Sequence, residues 1–194
     1  MRKLFSTISV LVVILLVSIA CKQSPTPKPR GFFRIDLPEK SYKEFSPDNC
    51  PFMMEIPAYG EMNPVKESFA EPCWYNLDLK KYNATIYITY KEVENNLPSY
   101  IEDVRSIAYK HTIKADDIEE TLMIRPEQKV YGVLYDIKGN AASSVNFFIT
   151  DSTAHFLSGS LYFNSEPNYD SLLPAIQFFR KDIIHLMETT KWKN

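Results

Sequence analysis

The chain has 194 residues, with 22 Lys and Arg against 24 Asp and Glu and a formal net charge of −2. That balance excludes the basic footprint a nucleic-acid binder needs. With 13% aromatic residues and only five glycines, the composition describes a compact, ordered body rather than a flexible adaptor.

Arg2 and Lys3 precede an apolar run from Leu4 to Ala20, interrupted only by Ser6, Thr7, Ser9 and Ser18. A short positive patch, an apolar core and a small residue at its end describe a secretory signal peptide over residues 1–20. A transmembrane anchor usually needs about 20 apolar residues, and this run falls short of that. Ala20-Cys21 ends the run as a bacterial lipobox ends, although Ser18 stands where such boxes usually carry Leu. Cys21 is therefore the expected lipidation site, where several acyl chains on one thiol make a durable membrane anchor. An ordinary signal followed by a chance cysteine is the alternative.

Residues 21–31 contain Pro25, Pro27 and Pro29. Such spacing favours extended polyproline geometry at about 3.1 Å per residue, a leash of about 25–30 Å. Lys22, Lys28 and Arg30 can rest on anionic headgroups. Losing Arg2 and Lys3 with the signal takes the formal charge from −2 to −4. Residues 32–194 have a comfortable length for a single domain.

With Cys21 acylated, Cys50 and Cys73 remain. In an exported protein an even pair is most simply a disulfide. Two buried thiols, or two ligands of a metal site, are the alternatives, but no His or third Cys lies nearby in sequence to complete a site.

From Phe32 to Pro72 the chain is punctuated by prolines, with short extended pieces at Phe32–Leu37 and Pro51–Ile56. Cys73–Leu79 alternates with period two, Cys73, Tyr75, Leu77 and Leu79 opposing Trp74, Asn76 and Asp78, which predicts a strand. Ala84–Lys91 repeats the pattern, and Lys80–Asn83 is short enough to turn one strand back on the other. Asn95-Asn96-Leu97-Pro98 opens a helix striped by Leu97, Ile101, Val104 and Ala108. Lys129–Ile137, Ala141–Ile149 and Ala154–Phe163 read as three strands whose short links make them antiparallel neighbours. A last helix spans about Tyr169–Thr189, with Leu172, Ile176, Phe179, Ile183 and Leu186 inward. Two amphipathic helices packed on an antiparallel sheet give an α+β fold, an order shared with PsbP-like and Mog1-like domains.

Little in the chain suggests chemistry. His111, His155 and His185 have no paired-His spacing, and each reads as a structural histidine. The carboxylate run "KADDIEE" (residues 114–120) reads as a solvated turn or helix start. "LSGSL" (residues 157–161) lies inside a strand and lacks the G-x-S-x-G pattern of a nucleophile elbow. Asn83-Ala84-Thr85 fits a glycosylation acceptor but begins a strand. No catalytic residue, cofactor site or metal site is expected, and no small-molecule substrate.

Four stretches together carry a resemblance: "TPKPRGFFRIDLPEKSY"; "CPF" with "CWYNL"; "LPSYIEDVRSIAYKHTIKADDI"; and "FFITDSTAHFLSGSLYFNSEPNYDSLLP". They resemble the gliding-motility lipoprotein GldD family of Bacteroidetes over nearly the whole mature chain. Phe32 stands where many members carry Tyr, and Ser158 where a basic residue is usual. The resemblance implies a cell-envelope component needed for gliding motility and the associated type IX protein secretion machinery, with no catalytic residues to carry over. Its partners are expected to be a membrane, through the lipid anchor, and other gliding and secretion proteins. "KQSPT" after Cys21 lacks an acidic export cluster, and Lys22 is not a retention Asp, which favours the outer membrane facing the periplasm. Assembly through protein contacts is the leading expectation. A binding module for an envelope glycan or lipid, using Trp74, Tyr87 and Tyr162, is the second. An enzyme with His111, Asp116 and Asp117 in a cleft is a distant third.

Overall fold

Alternation along the chain is what builds the central layer. In the computed structural model, which describes residues 34–110 and 114–193, seven strands form one antiparallel sheet. The signal peptide, Cys21, the leash and His111 lie outside the described residues. Three short strands come first: β1 (Tyr42–Phe45), β2 (Phe52–Pro57) and β3 (Glu61–Pro64). Then follow β4 (Tyr75–Leu79), β5 (Ala84–Glu92), α1 (Leu97–Lys110), β6 (Ala115–Arg125) and β7 (Val130–Gly139). β8 (Ser143–Thr150), β9 (His155–Phe163), α2 (Tyr169–Thr189) and β10 (Lys191–Trp192) complete the order. The large sheet runs β3-β4-β5-β9-β8-β7-β6, and a small one runs β1-β2-β10.

The chain is α+β, with antiparallel sheets and two helices. α2 and β2 bury one face of the large sheet: Phe52, Met54 and Ile56 join Phe179, Ile183 and Leu186 over Leu77, Ile86, Phe147 and Leu161. α1 covers part of the other face, where Val104 and Ala108 meet Tyr135, Ile137, Phe148 and Phe156. β8, near the middle of the sheet, is buried at every residue because both of its faces are covered. That is why its sequence shows little alternation. Gly159 faces Phe147 across the β8–β9 ladder, and a Cβ there would stand 2.5 Å from the Phe147 ring.

Local chemistry sets the ends. Asn96 accepts from Ser99 and Tyr100 at the start of α1, and Pro98 sits in its first turn, where a missing N–H costs little. The Asn168 side chain accepts from the Ser171 amide to cap α2. Asp151 Oδ1 accepts from the amides of Thr153, Ala154 and His155 to fold the β8–β9 turn. Burial alone would raise the Asp151 pKa, but these bonds outweigh it and hold it down at about 2.

Two expectations are corrected. The strand foreseen from Cys73 starts at Tyr75, because Cys73 has φ 66°, outside extended backbone. The carboxylate run at 114–120 is neither turn nor helix start: from Ala115 it forms the first half of β6. β6 ends the large sheet, so both of its faces tolerate charge and the alternation that marks an inner strand is lost.

Candidate functional site

The end of the sheet formed by β6 carries two of the protein's exposed large apolar side chains. Among the described residues β6 pairs with β7 alone, with Glu120 opposite Tyr135, Leu122 opposite Val133 and Ile124 opposite Tyr131. Strand alternation places Ile118, Glu120, Leu122 and Ile124 on the α1 side of the sheet. Ile118 packs into the α1-side core, and Glu120 accepts from the Tyr109 hydroxyl of α1 at 2.9 Å. Beyond that contact Leu122 and Ile124 stand 68% and 64% exposed. Ile107 and Tyr109, toward the end of α1, are also exposed.

The acidic half of β6 is committed to neighbours. Asp117 accepts from Lys138 Nζ at 3.1 Å, and Glu119 bonds the same ammonium. The two carboxylates push Lys138 above the usual lysine value. Next to them Arg180 of α2 makes a bidentate pair with Asp136 at 2.6 and 2.7 Å. Asp117 thus belongs to a surface ion-pair network with Asp116 beside it in sequence, and among the described residues no group of three or more His, Cys, Asp and Glu could hold a metal.

The two described histidines are engaged in different places. His155 Nδ1 lies 2.8 Å from the Tyr90 hydroxyl, and its ring stacks on Trp192. His185 Nε2 lies 2.6 Å from Glu55, and its ring stacks on Tyr42 at 3.6 Å. Ser160 faces the α1 side in the row shared with Tyr87 and Asn146. Asn83 caps a short 3-10 turn, Lys80–Tyr82, in left-handed conformation. Cys50 and Cys73 are brought together in disulfide geometry, with Cα atoms 5.7 Å apart, tying the start of β2 to the approach to β4.

The three aromatics singled out from sequence share a region. Tyr87 and Tyr162 meet edge to face at 5.5 Å, and the Trp74 indole N–H donates to the Tyr90 carbonyl. Trp74 also walls a groove of about 330 Å³ floored by Thr89, Phe156 and Ser158. A second groove of about 450 Å³, beside Cys73 and Asn49, shares Lys91 and Tyr100 with it.

Sequence reading missed a buried polar clasp. Asp182, fully buried on α2, accepts from Lys40 Nζ at 2.6 Å, Tyr42 at 3.1 Å and Tyr59 at 2.5 Å. Burial, then Asp182, raises both phenols, Tyr42 to about 12 and Tyr59 beyond the ordinary phenol range. Burial lowers the Lys40 ammonium despite the partner carboxylate. Every partner is satisfied within the protein, so the cluster fastens the segment before β1 to α2. A signal was present: Asp182 interrupts the inward stripe between Phe179 and Leu186, and a charge there needs a partner.

No curated protein matches the chain. Among solved structures it is similar to the solution structure of cyanobacterial PsbP (CyanoP) from Synechocystis sp. PCC 6803. Identity is 9%, covering 82% of this chain and 97% of that one, with a TM-score of 0.46. The family described as gliding motility lipoprotein GldD matches residues 22–192.

Proposed function

The chain belongs to the gliding motility lipoprotein GldD family, and from that premise we infer that it works by protein contact, as an assembly or stabilising component of the gliding apparatus and its associated type IX secretion machinery. A lipid on Cys21 holds it to the outer membrane facing the periplasm, and the leash of residues 21–31 keeps the domain of residues 32–194 within about 25–30 Å of that membrane. A Cys50–Cys73 disulfide formed on export holds the body shut.

One observation carries the contact reading. β6 is the last strand of its sheet among the described residues and presents Leu122 and Ile124 to solvent. An edge of this kind ordinarily carries a charge or a proline as a guard. Asp116 to Glu120 guard one end of the strand and Arg125 with Pro126 the other, which leaves Thr121–Ile124 as the uncharged stretch between them. The surface fits an extended segment of a partner protein that adds a strand to β6, apolar opposite Leu122 and Ile124. No residue of the chain is assigned a catalytic role.

The experiment is site-specific photo-crosslinking in gliding cells, with the reactive residue at 122 or 124 and, as comparison, at the exposed Tyr109. Capture of one gliding or secretion component from 122 and 124 supports the reading. Absence of any such component, with the protein at normal abundance, contradicts it.

A further inference from the structure

The face of the large sheet that holds α1 is only partly used by it: α1 packs on β8 and β9, and Tyr87 on β5 remains 41% exposed. Cross-strand register places Asn76, Tyr87, Ser160 and Asn146 in one row across β4, β5, β9 and β8. Tyr162 stands diagonal to Tyr87 and touches it, and Trp74 stands diagonal on the other side, above the groove floored by Thr89 and Ser158. Three rings therefore cross the sheet obliquely, beside the amides and hydroxyls of the row.

Around the cross-strand row the charges are engaged within the protein, while Asp103 and Lys110 of α1 also line the groove beside Trp74. Asp78 accepts from Asn63 and Thr85, Lys80 pairs with Glu61, and Lys91 lies 3.8 Å from Glu71. What the row itself offers is neutral hydrogen-bonding capacity. Asn76 Oδ1 and Asn146 Nδ2, both in the cross-strand row, are buried without a hydrogen-bond partner, and Asn146 is 1% exposed. Both atoms are closed to solvent and lie beneath the surface that a ligand would touch.

We propose that this face, centred on Tyr87 with Trp74, Asn76, Ser160 and Tyr162, binds a neutral oligosaccharide. The complementarity is chemical. A sugar ring offers a C–H face to an aromatic side chain and hydroxyls at its rim to amides and side-chain hydroxyls, and carries no net charge. A nucleic acid would require a basic stripe, and a protein partner a continuous apolar centre. Neither is present between these three rings, whereas the adjoining groove gives depth for a sugar unit beside Trp74. The site lies on β4, β5 and β9, apart from Leu122 and Ile124 on β6, so it adds a second engagement to the proposed contact function.

The test uses the full-length lipoprotein in a detergent without a sugar headgroup. Calorimetric titration is run with three probes: oligomers of N-acetylglucosamine, of glucose and of mannose. Saturable binding of at least one, little changed by added salt, is expected. Tyr87→Ala should weaken it about tenfold, which corresponds to about 1.4 kcal/mol. Leu122→Asp should bind as the unaltered protein does, which separates this site from the β6 surface. In NMR spectra of the complex the shifted rings should be Tyr87 and Tyr162, with the methyls of Leu122 and Ile124 unmoved. Absence of saturable binding to all three probes overturns the proposal, as does binding that leaves the Tyr87 and Tyr162 signals unchanged.

Discussion

Replacing Asp182 with Leu removes the acceptor of three donors at once. The Tyr59 and Tyr42 hydroxyls, at 2.5 and 3.1 Å, lose a charged partner in a site where the carboxylate is fully buried. An orphaned buried donor costs about 1–3 kcal/mol. Lys40 loses less: it keeps the Phe178 carbonyl at 2.8 Å, and its side chain is 27% exposed, so water can solvate it. Against these losses stands the relief of no longer burying a carboxylate. The net expectation is a loss of about 2–4 kcal/mol, two orphaned phenol donors less that relief. Urea unfolding of the Asp182→Leu, Lys40→Met and double variants gives the number. The double variant should recover at least about 1 kcal/mol relative to the sum of the singles. Hydrogen exchange should show residues 34–45 opening first in Asp182→Leu. A loss under about 1 kcal/mol, or additive single effects, would refute the clasp.

Cys73→Ser should lower stability by about 3 kcal/mol, the loop-closure value for this separation, and reductant should bring the unaltered protein down to the same level; indifference to reductant counts against the bond. Burial pushes Tyr42, Tyr90 and Tyr135 up to about 12. A raised folded pKa contributes stability that is complete below the unfolded value of about 10 and is lost as pH rises toward 12. Denaturation midpoints should therefore fall steeply above about pH 10, and a flat profile there would contradict the buried, neutral phenols. Gly159→Val should cost about 1–3 kcal/mol by forcing Phe147 aside; thermal unfolding that matches the unaltered protein would show that the ring has room to move.

Much of the fold was legible because inner strands and amphipathic helices announce their period. Ala84–Glu92 buries Ala84, Ile86, Ile88 and Tyr90 on one side, as alternation requires, and α2 matches its foreseen bounds because its inward residues recur every three or four positions. The edges were not legible. β1, β3 and β6 each expose residues on both faces, so nothing in "YKEF", "EMNP" or "ADDIEETLMIR" enforces period two. The β5–β9 pairing that joins the two halves of the sheet spans more than sixty residues, and no local signal specifies it. Alternation put Trp74 and Tyr87 each on one face of its own strand, but only the register brings Tyr162 beside them. The exposed apolar end of β6 was hidden for the same reason: Leu122 and Ile124 look like core residues until their strand is known to lie at the sheet's end.

The contact account is tested most directly by charging that end of the sheet. Leu122→Asp with Ile124→Lys, placed on the chromosome, alters two side chains that are already more than half exposed, so the folded body and its abundance should be unchanged. Gliding and secretion are then measured beside protein level, with Asp117→Asn and His155→Ala strains in parallel. The account predicts that the double variant stops gliding and impairs secretion at normal abundance, while the other two strains lose function only in proportion to any loss of protein. A fully motile double variant, or a stable, abundant Asp117→Asn protein that abolishes gliding, would contradict it.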